Sequence, residues 1–257
     1  MVQPANALLI NGSFETGDFT GWTRAGFFKG MGGPNSGGPN YATFLSAQVG
    51  ATATSDSNTV VASQTSAFDG FGTPGPAVTP TAGQFLAFVS NQTAIGNNTL
   101  TGSSISQTFA LPAGAGLLAF DTRLLNDDNS SDFVQFNDFG GLALLLGSTV
   151  LAQFNLDLNP ASTANGHVTA GANVGGFKNS TAWLSSQFNV SGLGGQNVTL
   201  TAYAVNFGND NSLETRLLLD NVRVLAATVP EPNSMVLLLI GALLIRRLIT
   251  PRFRQST

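Results

Sequence analysis

Punctuation is the feature that most restricts this chain. Short runs of alternating or β-branched residues are bounded again and again by Gly, Asn, Pro and Ser, and no long window shows the 3.6-residue apolar spacing of an amphipathic helix. Strands are therefore predicted over 84–90, 104–109, 116–124, 133–139, 142–146, 149–154, 183–190, 197–207 and 214–225. The stretch 30–40, with Gly32-Gly33-Pro34 and Gly37-Gly38-Pro39, is predicted as loop, as is 68–83, because Pro cannot donate to a ladder and Gly lacks a side chain to pack. Nineteen Phe against two Tyr suit a dry interior between two sheets. The expected class is all-β, an antiparallel β-sandwich over 8–228, with 1–7 unstructured or the remnant of an export signal and 229–257 a separate segment ending in a short hydrophobic helix. No linker divides the body, and no fixed-period repeat is evident.

Charge narrows the function. Only 9% of residues are charged, against roughly 25% in an ordinary soluble domain. Ahead of Pro230 the chain carries six basic and thirteen acidic residues, a net charge of −7, because Arg246, Arg247, Arg252 and Arg254 lie in the tail. Nucleic-acid affinity comes largely from Lys and Arg neutralising phosphates, so an acidic body without a basic patch argues against such a partner. The absence of Cys excludes disulfides, thiolate metal sites and cysteine nucleophiles.

Both ends read as processing signals. Ala5-Asn6-Ala7 has the small-x-small form of a signal-peptidase site, and the apolar region that would precede it is expected upstream of Met1. At the other end stand Val229-Pro230-Glu231-Pro232, an apolar run from Met235 to Ile245 broken only by Gly241, and Arg246-Arg247. As a helix that run rises about 16 Å, short of the roughly 30 Å hydrocarbon core of a bilayer. The arginines would stay cytoplasmic and leave the body on the far side of the membrane. This tripartite tail resembles the PEP-CTERM sorting signal of exported proteins in Gram-negative bacteria and cyanobacteria. The resemblance implies recognition and cleavage near Pro230, Glu231 and Pro232 by an exosortase-type enzyme, with Arg246 and Arg247 as the retention end. It also implies transient anchoring in the inner membrane, then a place at the cell surface or in the extracellular matrix beside exopolysaccharide. Residues 248–257 continue past the arginines, where many such tails stop.

Two further segments, 11–22 (NGSFETGDFTGW) and 217–224 (LLLDNVRV), bracket the body. They resemble the first and last strands of carbohydrate-binding-module-like jelly rolls, which implies a jelly-roll-like sandwich whose two ends meet. The resemblance implies structural calcium, with Asn11, Glu15 and Asp220 as its ligands, and oxygen donors of this kind suit the ion. On the residues alone, Glu15 and Asp220 serve equally to cap turns or to pair with Arg24 and Arg223. The acidic loop 126–132 (NDDNSSD) lacks the Gly and distal Glu of an EF-hand and is expected to form Asx turns.

Catalytic signatures are missing. His167, the single histidine, lies in a polar Gly-rich stretch and is expected in solvent, and no Gly-x-Ser-x-Gly elbow accompanies it. Glu15 and Glu214, the only glutamates of the body, stand in no glycosidase pattern. Sugar stacking would need exposed aromatic rings, for which Trp22 and Trp183 are the candidates, with Tyr41 and Tyr203 behind them; packing roles compete for both tryptophans. The expected function is non-enzymatic: an exported surface or matrix protein, carbohydrate-binding and exopolysaccharide-associated. The alternatives are a polysaccharide-acting hydrolase with an unrecognised carboxylate pair, or a purely structural surface protein.

Overall fold

Alternation along the strands becomes two facing sheets. The computed structural model describes residues 8–30, 52–54, 59–63, 78–90, 99–130, 138–172, 174, 177–208 and 215–227. Among these lie thirteen strands: β1 (Thr23–Gly30), β2 (Thr52–Thr54), β3 (Thr59–Ser63), β4 (Phe85–Ser90), β5 (Thr99–Ala110), β6 (Ala115–Asn126), β7 (Phe139–Leu146), β8 (Thr149–Asp157), β9 (Gly166–His167), β10 (Asn179–Ser180), β11 (Leu184–Asn189), β12 (Asn197–Gly208) and β13 (Thr215–Ala226). One sheet runs β2-β1-β5-β12-β7-β8-β9 and the other β10-β6-β13-β4-β3, with β11 also paired to β6. Every pairing is antiparallel except β8 with β9. From β4 to β7 the chain changes sheet at each strand, which gives the all-β sandwich its jelly-roll character. By contacts the chain divides into Met1–Ala226 and Ala227–Thr257.

The period-2 rule decides what lies between the sheets. On β12, Val198, Leu200, Ala202 and Ala204 face inward, and opposite them β6 supplies Leu118, Phe120 and Leu124. Phe120 meets Phe154 edge-on at 5.6 Å and Phe188 at 4.9 Å between ring centroids, so three strands converge on one ring. A smaller cluster of Leu86, Phe88, Leu125, Phe177 and Leu218 forms on the outer side of the second sheet.

Eight of the nine predicted strands appear with ends shifted or extended where ladders continue. The expected strand over 133–139 falls mostly outside the described residues, and Phe139 instead opens β7. β1 was not predicted, because TRAGFFKG contains a central Gly and no clean alternation; it forms through an eight-residue ladder with β5, from Thr23 opposite Ser106 to Gly30 opposite Thr99. The Pro- and Gly-rich stretch 30–40 and the hydrophobic tail, with Pro230, Glu231, Pro232, Arg246 and Arg247, lie outside the described residues apart from Gly30.

Phe120→Ala should lower the unfolding free energy by about 3–5 kcal/mol in urea denaturation. A loss below about 1 kcal/mol would mean that the sheets do not close around this ring.

Candidate functional site

The opening segment is a loop tied to itself before it is tied to anything else. Asn11, in left-handed conformation at φ 51°, donates its side-chain amide to the Asp18 carbonyl at 2.9 Å and accepts the Thr16 N–H at 3.3 Å. Asp18 accepts the Thr16 hydroxyl at 2.7 Å and the Thr20 N–H at 2.9 Å, and these bonds, that from Thr16 foremost, hold its carboxyl below the usual value. Phe14 is also left-handed, at φ 58°, which is rare for a bulky residue. It is fully buried against Phe19 and Trp22, with centroids 6.0 and 5.4 Å away. Trp22 is 7% exposed and donates its indole N–H to the Asn11 carbonyl at 3.2 Å. Its expected role as a sugar platform is therefore corrected, because the ring face that would stack on a sugar is packed in the core. Trp183 is half-buried and packs against the outer cluster of the second sheet.

Farther along, the loop is joined to the last strand. The Gly12 carbonyl accepts the Val222 N–H at 2.9 Å, and a Cβ at Gly12 would sit 2.1 Å from the Val222 carbonyl oxygen, so no other residue fits. Residues 81–85 complete the seam. Glu15 accepts the Gln84 N–H at 2.9 Å and the Phe85 N–H at 3.0 Å. Asp220 accepts the Thr81 N–H at 2.7 Å and the Ala82 N–H at 2.9 Å on one oxygen, and the Asn221 N–H at 2.6 Å on the other. Of the three residues expected to hold calcium, Glu15 and Asp220 thus converge on one short segment, whereas Asn11 braces its own turn. Neither carboxylate forms an ion pair with Arg24 or Arg223 among the described residues; the Arg24 guanidinium lies 5.6 Å from the centroid of the Phe19 ring, and Arg223 donates to the Asn221 carbonyl.

Asp121 stands directly opposite Asp220 in the β6–β13 ladder, an arrangement that is unfavourable between like charges. The Thr81 hydroxyl lies 2.8 Å from Asp121 and 2.9 Å from Asp220, and its single hydrogen serves one of them at a time. Burial pushes the Asp121 carboxyl up, but hydrogen bonds from Ser185, Asn221 and Thr81 and the nearby charge of Arg223 outweigh it and leave the group below its usual value. Burial dominates at Asp220 and raises its carboxyl despite the amide donors.

His167 departs from expectation. It lies on β9 rather than in a solvated loop, with Nδ1 2.7 Å from a carboxylate oxygen of the fully buried Asp157 and 27% of its side chain exposed. In the acidic loop, Asn126 is buried and links Asp128, Thr215 and Asn179, while Asp127 accepts the Lys178 N–H, so the described part is a hydrogen-bonded turn. Among the described residues no group of three or more His, Cys, Asp or Glu could hold a metal ion.

Among the described residues, the outer side of the seven-stranded sheet also has a definite chemical character. Register places Thr23, Ser106, Thr201, Ala143 and Gln153 in one row across β1, β5, β12, β7 and β8, and Thr108, Thr199 and Leu145 in the next. Thr23 and Thr108 are exposed; Ser106, Thr199 and Gln153 are half-buried. The Thr108 and Thr199 hydroxyl oxygens lie 2.8 Å apart. Neither row contains a charge. The sequence signal was the hydroxyl on alternate residues of Ser104-Ile105-Ser106-Gln107-Thr108 and Asn197-Val198-Thr199-Leu200-Thr201, and a search for aromatic platforms passes over it. Tyr203, on the same side, is fully buried and donates its hydroxyl to Asn155.

No family model and no curated protein matches the chain. Among solved structures it is loosely similar to TmCBM61, solved with β-1,4-galactotriose, at TM-score 0.41 and 11% identity, over 87% of this chain and 100% of that one. It is also similar to CBM28, a non-crystalline-cellulose-specific carbohydrate-binding module, at TM-score 0.39 and 11% identity over 87% and 98%. The K1 cleaved adhesin domain of Lys-gingipain from Porphyromonas gingivalis W83 follows at TM-score 0.39 and 11% identity over 84% and 96%.

The paired aspartates should titrate in opposite senses. Asp121, held below 3.8, contributes stability that is present above that value and lost as pH falls through its folded value; Asp220, held above 3.8, contributes stability that is full below it and lost as pH rises through its folded value. In urea denaturation at about pH 3 and pH 7, the deficit of Asp121→Asn relative to wild type should grow with pH and that of Asp220→Asn should shrink. Two deficits moving in the same direction would contradict the assignment.

Proposed function

We propose that this protein is an exported, non-catalytic surface protein that binds neutral carbohydrate on the outer side of its seven-stranded sheet. The observation carrying this reading is the uncharged strip of Thr23, Ser106, Thr108, Thr199 and Gln153. Hydroxyl and amide groups on adjacent strands exchange hydrogen bonds with sugar hydroxyls without the desolvation cost of burying a charge. The jelly-roll resemblance of segments 11–22 and 217–224 supports the same ligand class. Asp121 and Asp220 stand on the other sheet, on β6 and β13, and both engage the Thr81 hydroxyl within the seam.

Export rests on the tail sequence. In this reading the segment around Pro230, Glu231 and Pro232 is cut by an exosortase-type enzyme after the apolar run and its arginines have held the chain briefly in the inner membrane. The body then joins exopolysaccharide at the cell surface. Among the described residues no helix is long and apolar enough to cross a membrane.

The full chain should be retained on an array of neutral polysaccharides without releasing reducing ends, and the double variant Thr108→Val/Thr199→Val should bind about 3–10-fold more weakly, as expected for one or two lost hydrogen bonds. Undiminished binding by the variant, or product formation, would contradict the reading. Mass determination of the protein from its own cell should show loss of the segment carrying Arg246 and Arg247; a native product ending at Thr257 would remove the sorting role.

A further inference from the structure

We infer that residues 81–85 form a main-chain clamp that fills the place of a cation at the seam, so that the first loop and the last strand are joined without calcium. A calcium ion needs about 6–8 oxygen ligands at roughly 2.3–2.6 Å with their lone pairs directed at it. Here those lone pairs are directed at hydrogens. One oxygen of Asp220 lies within 2.9 Å of the Thr81 N–H, the Ala82 N–H and the Thr81 hydroxyl, and its other oxygen receives the Asn221 N–H. Glu15 receives the next two amides, those of Gln84 and Phe85. A cation placed against the sides of these carboxylates that face residues 81–85 would meet the positive ends of the N–H dipoles.

The segment is shaped for this use. Four of its five amides point at the two carboxylates, two to each, and the residue between the pairs is Gly83. Its φ is +66°, and a Cβ there would lie 2.2 Å from the carboxyl carbon of Glu15. Glycine is favoured by the backbone conformation, and a Cβ here would displace the Glu15 carboxylate from the amides it accepts. The side chain of Thr81 extends the clamp sideways to Asp121, and Asn221 donates to Asp121 at 2.8 Å, so the second buried aspartate of the seam is also supplied with donors. The residues that the jelly-roll resemblance assigns to a metal therefore have a different occupant, supplied by the chain itself.

Amide hydrogen exchange of the full chain reads the clamp directly. In chelator, the Thr81, Ala82, Gln84 and Phe85 amides should be protected, and added calcium chloride should neither slow them further nor raise the melting temperature by more than about 1 °C. Asp220→Asn should release Thr81 and Ala82 while leaving Gln84 and Phe85 protected, and Glu15→Ala should do the reverse; if Asp220→Asn fails to fold, Glu15→Ala alone tests the pattern. Fast exchange of all four amides in chelator, with protection restored by calcium, would overturn the inference. So would a calcium-dependent rise of several degrees that Glu15→Ala or Asp220→Asn abolishes. A rise equal in wild type and both variants upholds it, because the ion then binds elsewhere.

Discussion

Everything in this sandwich depends on a contact between its two ends in sequence. The first loop has no place in a ladder until Gly12 meets Val222, and the last strand carries a buried carboxylate that requires donors. Residues 81–85 supply those donors to Asp220 and to Glu15 at once, so three segments distant in sequence become one unit. Hydrogen bonds from amides to a carboxylate are stronger than neutral pairs, and a buried carboxylate without them would be costly. Conformational strain gathers at the same place: Asn11, Phe14 and Asn221 are the described non-glycine residues with positive φ, and all three belong to the seam. Backbone cost of this kind persists only where the surroundings compensate it. At Phe14 the compensation is aromatic packing against Phe19 and Trp22; at Asn221 it is the hydrogen bond to Asp121.

Away from the seam, the seven-stranded sheet turns a polar outer side away from the core. Charge is almost absent from the body, and the strands that cross the seven-stranded sheet place Ser, Thr and Gln outward while Val, Leu and Ile fill the interior. Among the described residues the two central rows of that side carry no cation with which to neutralise a polyanion. In the proposed function it is matched to partners whose own surface is hydroxyl.

Much of the fold was legible in the sequence, and the reasons for the rest are local. β5, β6, β12 and β13 carry alternation strong enough to be read by eye, and the structure extends rather than replaces them. β1 was not legible because Gly26 interrupts its pattern and its stability comes from β5; β9 and β10, each two residues long, have no pattern to read. At the seam the sequence singled out Asn11, Glu15 and Asp220; Glu15 and Asp220 meet residues 81–85 while Asn11 braces its own turn, and the donors of the two carboxylates could not be foreseen. The amides of 81–85 carry no side-chain signature, and Asp121 gives no sign in sequence of standing opposite Asp220. His167 shows the same limit: only the parallel pairing of β9 beside β8 brings it to Asp157.

The claim that this seam governs the body can be put to one comparison. Gly83 and Gly114 both have positive φ, at 66° and 79°, but a Cβ at Gly83 would strike Glu15, whereas a Cβ at Gly114 would meet nothing within 4 Å. Urea denaturation of Gly83→Ala and Gly114→Ala therefore separates the backbone cost, about 1 kcal/mol in each, from the cost of opening the clamp. Gly83→Ala should lose at least about 1.5 kcal/mol more than Gly114→Ala, the equivalent of one or two charge-assisted hydrogen bonds. Equal losses at the two positions would contradict the account.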